Sequence, residues 1–188
     1  MLERRTVMSA ILEHRTSHWR VVSGLGSPTW DLAAVSRAEE NFHFIGAMGQ
    51  SAAFALGLAL AQPDRRVVLF TGDGELLMGL GTLATIANAG IRNLALVVLD
   101  NESYQETGGQ RTATAGQTDL AGIAAACGFA SSSTLRETSE VGAAGKLIAD
   151  TDGPVMVVAK VIKQTLPMVF PPSFDGSVAM EQFRRAIT

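Results

Sequence analysis

Five runs of consecutive apolar, largely β-branched residues mark the chain: "WRVVS" (19–23), "FHFIG" (42–46), "RVVLFTG" (66–72), "LALVVLD" (94–100) and "PVMVVAKVI" (154–162). A weaker run lies at "FASS" (129–132). The strongest runs do not alternate apolar with polar. A strand that is apolar on both sides must be covered on both faces, as in a parallel sheet with helices above and below. Segments of helical length lie between the runs, at 3–15, 48–61, 75–89, 118–127 and 138–150. This alternation requires right-handed crossovers and predicts an α/β fold, a three-layer doubly wound parallel sheet. The stretch "NESYQETGGQRTATAGQ" (101–117) is expected to form one long irregular loop, of a length that is usually functional or disordered. The end of the chain, "PMVFPPSFDGSVAMEQFRRAIT", holds three of the six prolines and closes in a short helical pattern. The expected division is an α/β domain over 1–165 and a C-terminal arm with a short helix over 166–188.

Composition narrows the function classes. With 15 basic and 18 acidic residues the net charge is −3, and no basic patch points to nucleic acid or to an acidic membrane surface. Cys127 is the only cysteine, so neither an internal disulfide nor a cysteine-held cluster is expected. The most apolar helical segment, 48–61, is interrupted by Gly49, Gln50, Ser51 and Gly57 and falls short of the ~20 residues that span a bilayer. The N-terminus is charged within three residues and lacks the apolar core of a secretory signal. A cytoplasmic location is expected. His43 falls in a strand-like run and is expected to be a core or interface histidine rather than a catalyst.

The candidate chemistry sits at two strand ends. Gly72-Asp73-Gly74 closes the third run and Asp100-Asn101 the fourth. Residues 75–100, 26 in all, separate Gly74 from Asn101, which is the length of one helix plus one strand. A single crossover of that length returns the chain to the same edge of the sheet, where ligands of open α/β sheets bind. Asp73 and Asn101 with a backbone carbonyl form a hard oxygen set that suits Mg²⁺. Gly72 and Gly74 allow close backbone approach, and a helix beginning near Glu75 turns its free N–H groups toward a phosphate. Gly-Asp-Gly alone favours a plain strand–turn–helix with Asp73 as a cap. The spaced Asn101 is what shifts the balance to a metal site.

Gly-Asp-Gly, about 26 residues and Asn together resemble the thiamine-diphosphate-binding motif. "FIGAMGQSAAFALGLALA" (44–61) resembles the segment of that family whose methionine props the bent cofactor. "GSPTWDLAAV" (26–35), "TGGQRTATAGQTDLAGIAAACGF" (107–129) and "VAMEQFRRAI" (178–187) resemble sulfopyruvate decarboxylase beta subunits and the matching half of phosphonopyruvate decarboxylases. The resemblance implies that Asp73, Asn101 and the Ser103 carbonyl hold Mg²⁺. It implies that backbone N–H groups of Gly74 and Glu75, beside Gly72, receive the diphosphate, with Ser27, Thr29 and Tyr104 also at the cofactor. Gly46 would accept from the aminopyrimidine, and Met48 would wedge the cofactor into a V as the catalytic positioning residue. Gln105 and Arg111 are candidates for substrate contact; Arg111 is either a solvated loop charge or a planar fork for an anionic group.

Two departures stand out. The family commonly has Asn-Asn where this chain has Asp100-Asn101, and this branch commonly has Pro where the chain has Arg111. The implied function is the beta subunit of a thiamine-diphosphate- and Mg²⁺-dependent decarboxylase. Its implied substrate is an anionic 2-oxoacid such as sulfopyruvate or phosphonopyruvate, and its products are CO₂ and an aldehyde. A carboligating subunit like acetolactate synthase, or a non-catalytic cofactor-binding subunit, are the alternatives. The glutamate that activates the cofactor is expected from a separate pyrimidine-binding alpha subunit, because one sheet and its tail occupy these 188 residues.

Overall fold

The computed structural model describes residues 1–188. In chain order it comprises α1 (Arg4–Leu12), β1 (Trp19–Ser23), α2 (Ser27–Val35), β2 (Asn41–His43), α3 (Ser51–Ala61), β3 (Arg66–Gly72), α4 (Asp73–Met78) and α5 (Thr82–Asn88). There follow β4 (Leu94–Asp100), β5 (Ser103–Tyr104), β6 (Gln110–Arg111), α6 (Leu120–Cys127), β7 (Ser131–Leu135), α7 (Thr138–Asp150), β8 (Val155–Lys160) and α8 (Gly176–Ile187). Six strands form one sheet in the order β2-β1-β3-β4-β8-β7, parallel at every pairing. β5 and β6 form a separate antiparallel hairpin.

The continuous apolar runs have the expected cause. Along β3 and β4, Val68, Phe70, Ala95 and Val97 face a core closed by Met8, Ile11 and Leu32, with α7 on the same side. Their neighbours Val67, Leu69, Leu94 and Leu96 face the opposite core, closed by Ala55, Leu83 and Ile86. Every residue of β4 is buried. Each fully buried Val or Leu side chain there contributes about 1.5–3 kcal/mol relative to exposure. No helix is long and apolar enough to cross a membrane.

Several boundaries differ from expectation. The segment 27–35, outside the helical segments marked in the sequence, is a full helix, started by Gly26 at φ 79° and by Pro28 in its first turn. β2 ends at His43, and β7 begins two residues later than the run that pointed to it. The expected irregular loop contains the β5–β6 hairpin and two 3₁₀ turns, Gln105–Thr107 and Ala113–Ala115. In the C-terminal arm, Phe183 of α8 is buried against Phe42, at a centroid distance of 5.2 Å.

The helix expected over 75–89 breaks into α4 and α5. A Cβ at Gly79 would lie 2.0 Å from the carbonyl oxygen of Gly49, so the break lets the loop carrying Met48 press directly on the backbone. Gly79→Ala is expected to destabilise the fold by about 3 kcal/mol, since a backbone carbonyl cannot rotate away as a side chain can. Gly81→Ala, whose Cβ meets nothing within 4 Å, should be near neutral in the same thermal or urea unfolding measurement.

His43, half-buried with Nδ1 3.4 Å from the Ser23 hydroxyl, has its pKa lowered by burial from 6.5 to about 4. The unfolded chain then binds a proton that the folded chain refuses between those values. Stability contributed at neutral pH is lost as pH falls from 6.5 toward 4, on the order of 2 kcal/mol after discounting for partial exposure. The pH dependence of unfolding should be shallower in His43→Gln over that window than in the wild type.

Candidate functional site

From β1 the chain steps outward to β2, then returns past β1 to β3 and on to β4. The connections therefore leave β1 and β3 in opposite directions and open a crevice at the carboxyl ends of the strands. In register, Gly72 lies beside Leu99, so Asp73 and Asp100 leave the sheet at the same level. A cleft of about 120 Å³ sits there, and its wall is made by the loops after β1, β3 and β4 with Met48 and Arg4. Sites that enclose a whole drug-sized ligand run to roughly 300–1,000 Å³. A cleft of this size encloses only part of a ligand that large.

Asp73 begins α4 and is 1% exposed. Its Oδ2 accepts hydrogen bonds from Thr112 (2.6 Å) and Thr114 (3.0 Å), and its Oδ1 has no side-chain hydrogen bond. No ion pair in the chain includes it. Burial pushes its pKa up, the Thr112 hydroxyl pulls it back, and the charge of Asp100 pushes it up further; the balance lies above the ordinary value. A buried carboxylate with one free oxygen and no basic partner fits a bound cation. Asn101 lies at the same opening. Its Oδ1 accepts from the Ser103 N–H (3.0 Å), which leaves the second lone pair free, and its Nδ2 donates to Gln105 Oε1 (3.0 Å). The Ser103 hydroxyl is buried and has no partner. The donor set is entirely oxygen, which suits Mg²⁺.

The side of the cleft at the start of α4 is equally open. A Cβ on Gly72 would meet nothing within 4 Å. The glycine at 74 is required for another reason: a Cβ there would lie 2.5 Å from the ring of Tyr104. Glu75 lines the cleft but is itself buried, and its Oε1 has no hydrogen-bond partner. Its side chain is buried, with Oε2 accepting from Thr71 (2.9 Å) and so close to Gly24 that a Cβ there would lie 1.9 Å away. Burial raises its pKa against the pull of the Ser51 and Thr71 hydroxyls.

Of the residues singled out in the sequence, Ser27, Met48, Gly72, Asp73, Gly74, Glu75, Asn101, Ser103, Tyr104 and Gln105 all line the one cleft. Thr29, Gly46 and Arg111 do not. Thr29 is buried beneath the β1–α2 turn and donates to the Gly24 carbonyl (2.8 Å). Gly46 is exposed in the loop after β2. Arg111 is exposed on the hairpin and donates to the Ala115 carbonyl (2.6 Å). Gln105 is committed at both ends of its amide, to Asn101 and to the Gln164 carbonyl (3.0 Å).

Sequence reasoning missed Arg4, Thr112, Thr114 and Lys160. Arg4 is buried, lines the cleft and ties Asp31 (2.7 Å) to the Gln164 carbonyl (3.0 Å). Lys160 pairs with Asp100 (2.7 Å) and Glu102 (2.8 Å). These partners lie tens of residues apart in sequence, and only the threonines sit near a recognisable motif. A larger cavity of about 680 Å³ lies between the C-terminal arm, α2 and β2. It includes none of the strand-end carboxylates or amides described above.

Known proteins bear on this geometry. Residues 24–159 match the family described as "Thiamine pyrophosphate enzyme, C-terminal TPP binding domain". The chain is 39% identical over 127 residues to the sulfopyruvate decarboxylase subunit beta of Methanocaldococcus jannaschii, covering 68% of this chain and 67% of that one. It is 35% identical over 168 residues to the phosphonopyruvate decarboxylase of Streptomyces viridochromogenes, covering 89% of this chain and 42% of that protein. The solved benzoylformate decarboxylase of Polynucleobacter necessarius has a TM-score of 0.74 over 89% of this chain and 34% of its own, at 21% identity, a likeness of fold alone. With the family matched across most of its length, at the switch-point cleft and the strand ends around it, the chain belongs to the thiamine pyrophosphate enzymes, as their C-terminal cofactor-binding domain.

Proposed function

We propose that this chain is the diphosphate-binding beta subunit of a thiamine-diphosphate- and Mg²⁺-dependent decarboxylase of an anionic 2-oxoacid, of the sulfopyruvate or phosphonopyruvate kind. The observation that carries the reading is the convergence of Asp73, Asn101 and the start of α4 on one strand-end cleft, in a chain whose relatives are named for those decarboxylations. Asp73 Oδ1, Asn101 Oδ1 and the Ser103 carbonyl would hold Mg²⁺, and the N–H groups of Gly74 and Glu75 would receive the diphosphate. When bound, thiamine diphosphate supplies the nucleophilic carbon and the electron-accepting ring that decarboxylation needs. The chain's own residues bind, orient and exclude water. Met48, half-buried at the cleft wall, orients the cofactor. Arg111, exposed on the hairpin, would meet the anionic group of the substrate once the hairpin carries it inward.

The deciding experiment combines the chain with a pyrimidine-binding subunit, supplies a panel of 2-oxoacids and identifies products. CO₂ with an aldehyde is expected. A carbon–carbon condensation product would favour ligation, and no turnover with any partner would favour a binding subunit. Met48→Ala should lower turnover about tenfold or more while changing cofactor affinity less, because positioning acts on rate. Equal losses in both would count against an orienting role.

A further inference from the structure

Lys160 stands at the end of β8, directly beside Asp100 in the parallel register. Its ammonium lies 2.7 Å from Asp100 Oδ2 and 2.8 Å from Glu102 Oε1, while the side chain is 13% exposed and that of Asp100 2%. The two carboxylates it joins flank Asn101. Glu102 is the only non-glycine residue with a positive φ, 59°, a conformation that must be held by its surroundings. It is held at three points: its N–H donates to Asp100 Oδ1 (3.1 Å), its carbonyl accepts from the Thr112 N–H (3.2 Å), and its side chain meets Lys160. Asp100 Oδ1 also accepts from the Thr114 hydroxyl (2.8 Å), which lies 3.0 Å from Asp73 Oδ2. One connected set of contacts therefore runs from Lys160 through the 100–103 turn and Thr114 to Asp73.

We propose that Lys160 is the positioning residue of this metal centre. By binding the carboxylates on both sides of Asn101 it fixes the left-handed turn at Glu102, and so aims the Asn101 amide and the Ser103 backbone into the cleft. Its charge also balances Asp100, an extra buried carboxylate beside the Asp73 ligand. The two effects have opposite signs for a cation. If Lys160 acted only as a charge, removing it would expose Mg²⁺ to more negative potential and tighten binding. If it holds the turn, removing it weakens binding although the local charge becomes more negative. The inference rests on the metal site proposed above.

The test uses the full chain and three variants, Lys160→Met, Lys160→Arg and Asp100→Asn/Lys160→Met. The double variant removes both buried charges while residue 100 keeps an oxygen for Thr114 and the Glu102 N–H, so it should fold even where the single variant is strained. Calorimetry measures the Mg²⁺ dependence of thiamine diphosphate binding. Amide hydrogen exchange in the ligand-free chain follows Glu102 and Ser103 against Val68 of β3. Lys160→Met is expected to raise the Mg²⁺ requirement about tenfold and to speed exchange at Glu102 and Ser103 about tenfold, with Val68 unchanged. Lys160→Arg should restore both to within about threefold, and the double variant should keep the loosened turn. Tighter Mg²⁺ binding in Lys160→Met, or exchange at those two amides accelerated over the wild type no more than at Val68, would overturn the proposal. Failure of the wild-type chain to bind Mg²⁺ and cofactor at all would instead overturn the metal site, and the exchange comparison would still decide whether Lys160 holds the turn.

Discussion

Purified alone, this chain is expected to release no measurable CO₂ from any 2-oxoacid, and a pyrimidine-binding subunit is expected to raise turnover by about 10³-fold or more. Three carboxylates line the cleft: Asp73, Glu75 and Glu106. Asp73 is engaged by two threonine hydroxyls and proposed for the cation. Glu75 is buried against Thr71 and Gly24 in the first turn of α4 itself. Glu106 is exposed and accepts from the Ser27 hydroxyl at the start of α2 (3.0 Å). None is placed to act as the acid against the far ring of a cofactor whose diphosphate would sit at α4, as proposed. Loss of a positioned acid or base costs roughly 10²–10⁴ in rate. The relatives agree in form: one is named as a subunit beta, and the other is a longer protein of which this chain matches 42%. Steady decarboxylation by the isolated chain, with mass spectrometry excluding a co-purified partner, would refute the half-site reading.

The parts of this fold that were legible in sequence are those decided by burial on two faces. β1, β3 and β4 have the limits their apolar runs mark, because a strand covered above and below is built mainly of apolar residues. β7, "SSSTL", is half-buried at the sheet edge, so its own residues carry little signal. α2 was missed because Pro28, Trp30 and Asp31 interrupt the pattern, although Asp31 is buried to bind Arg4 and Arg5. The α4–α5 break was hidden because Gly79 looks like any helix glycine until Gly49 is seen against it. At the site, Asp73 and Asn101 were legible through a spacing that one crossover imposes. Lys160 was not, since its pairing with Asp100 is a property of neighbouring strands 60 residues apart.

Asp73→Ala is expected to reduce Mg²⁺-dependent binding of thiamine diphosphate by at least about 100-fold, and Asn101→Ala by about tenfold. Asp73 is the one anionic ligand in the proposed set, whereas Asn101 contributes a neutral oxygen. The same change should not unfold the ligand-free chain. Asp73 has its pKa raised, chiefly by burial, so at neutral pH the folded state bears the cost of a charge that the unfolded state carries freely. For an acid with a raised folded pKa, stability falls as pH rises from the ordinary value through the raised one and stays lower above it. Asp73→Asn, which keeps oxygens for Thr112 and Thr114, should therefore melt at or above the wild-type temperature at pH 7. That advantage should shrink as pH falls toward the ordinary carboxylate range. The paired result, binding lost while ligand-free stability is kept or gained, is the signature of a group held at an energetic disadvantage for function. Unchanged affinity in titration calorimetry of Asp73→Ala would remove the carboxylate from the metal site. A large drop in the melting temperature of ligand-free Asp73→Ala that Asp73→Asn does not share would show that the threonine contacts, rather than the cation, are what residue 73 is there to serve.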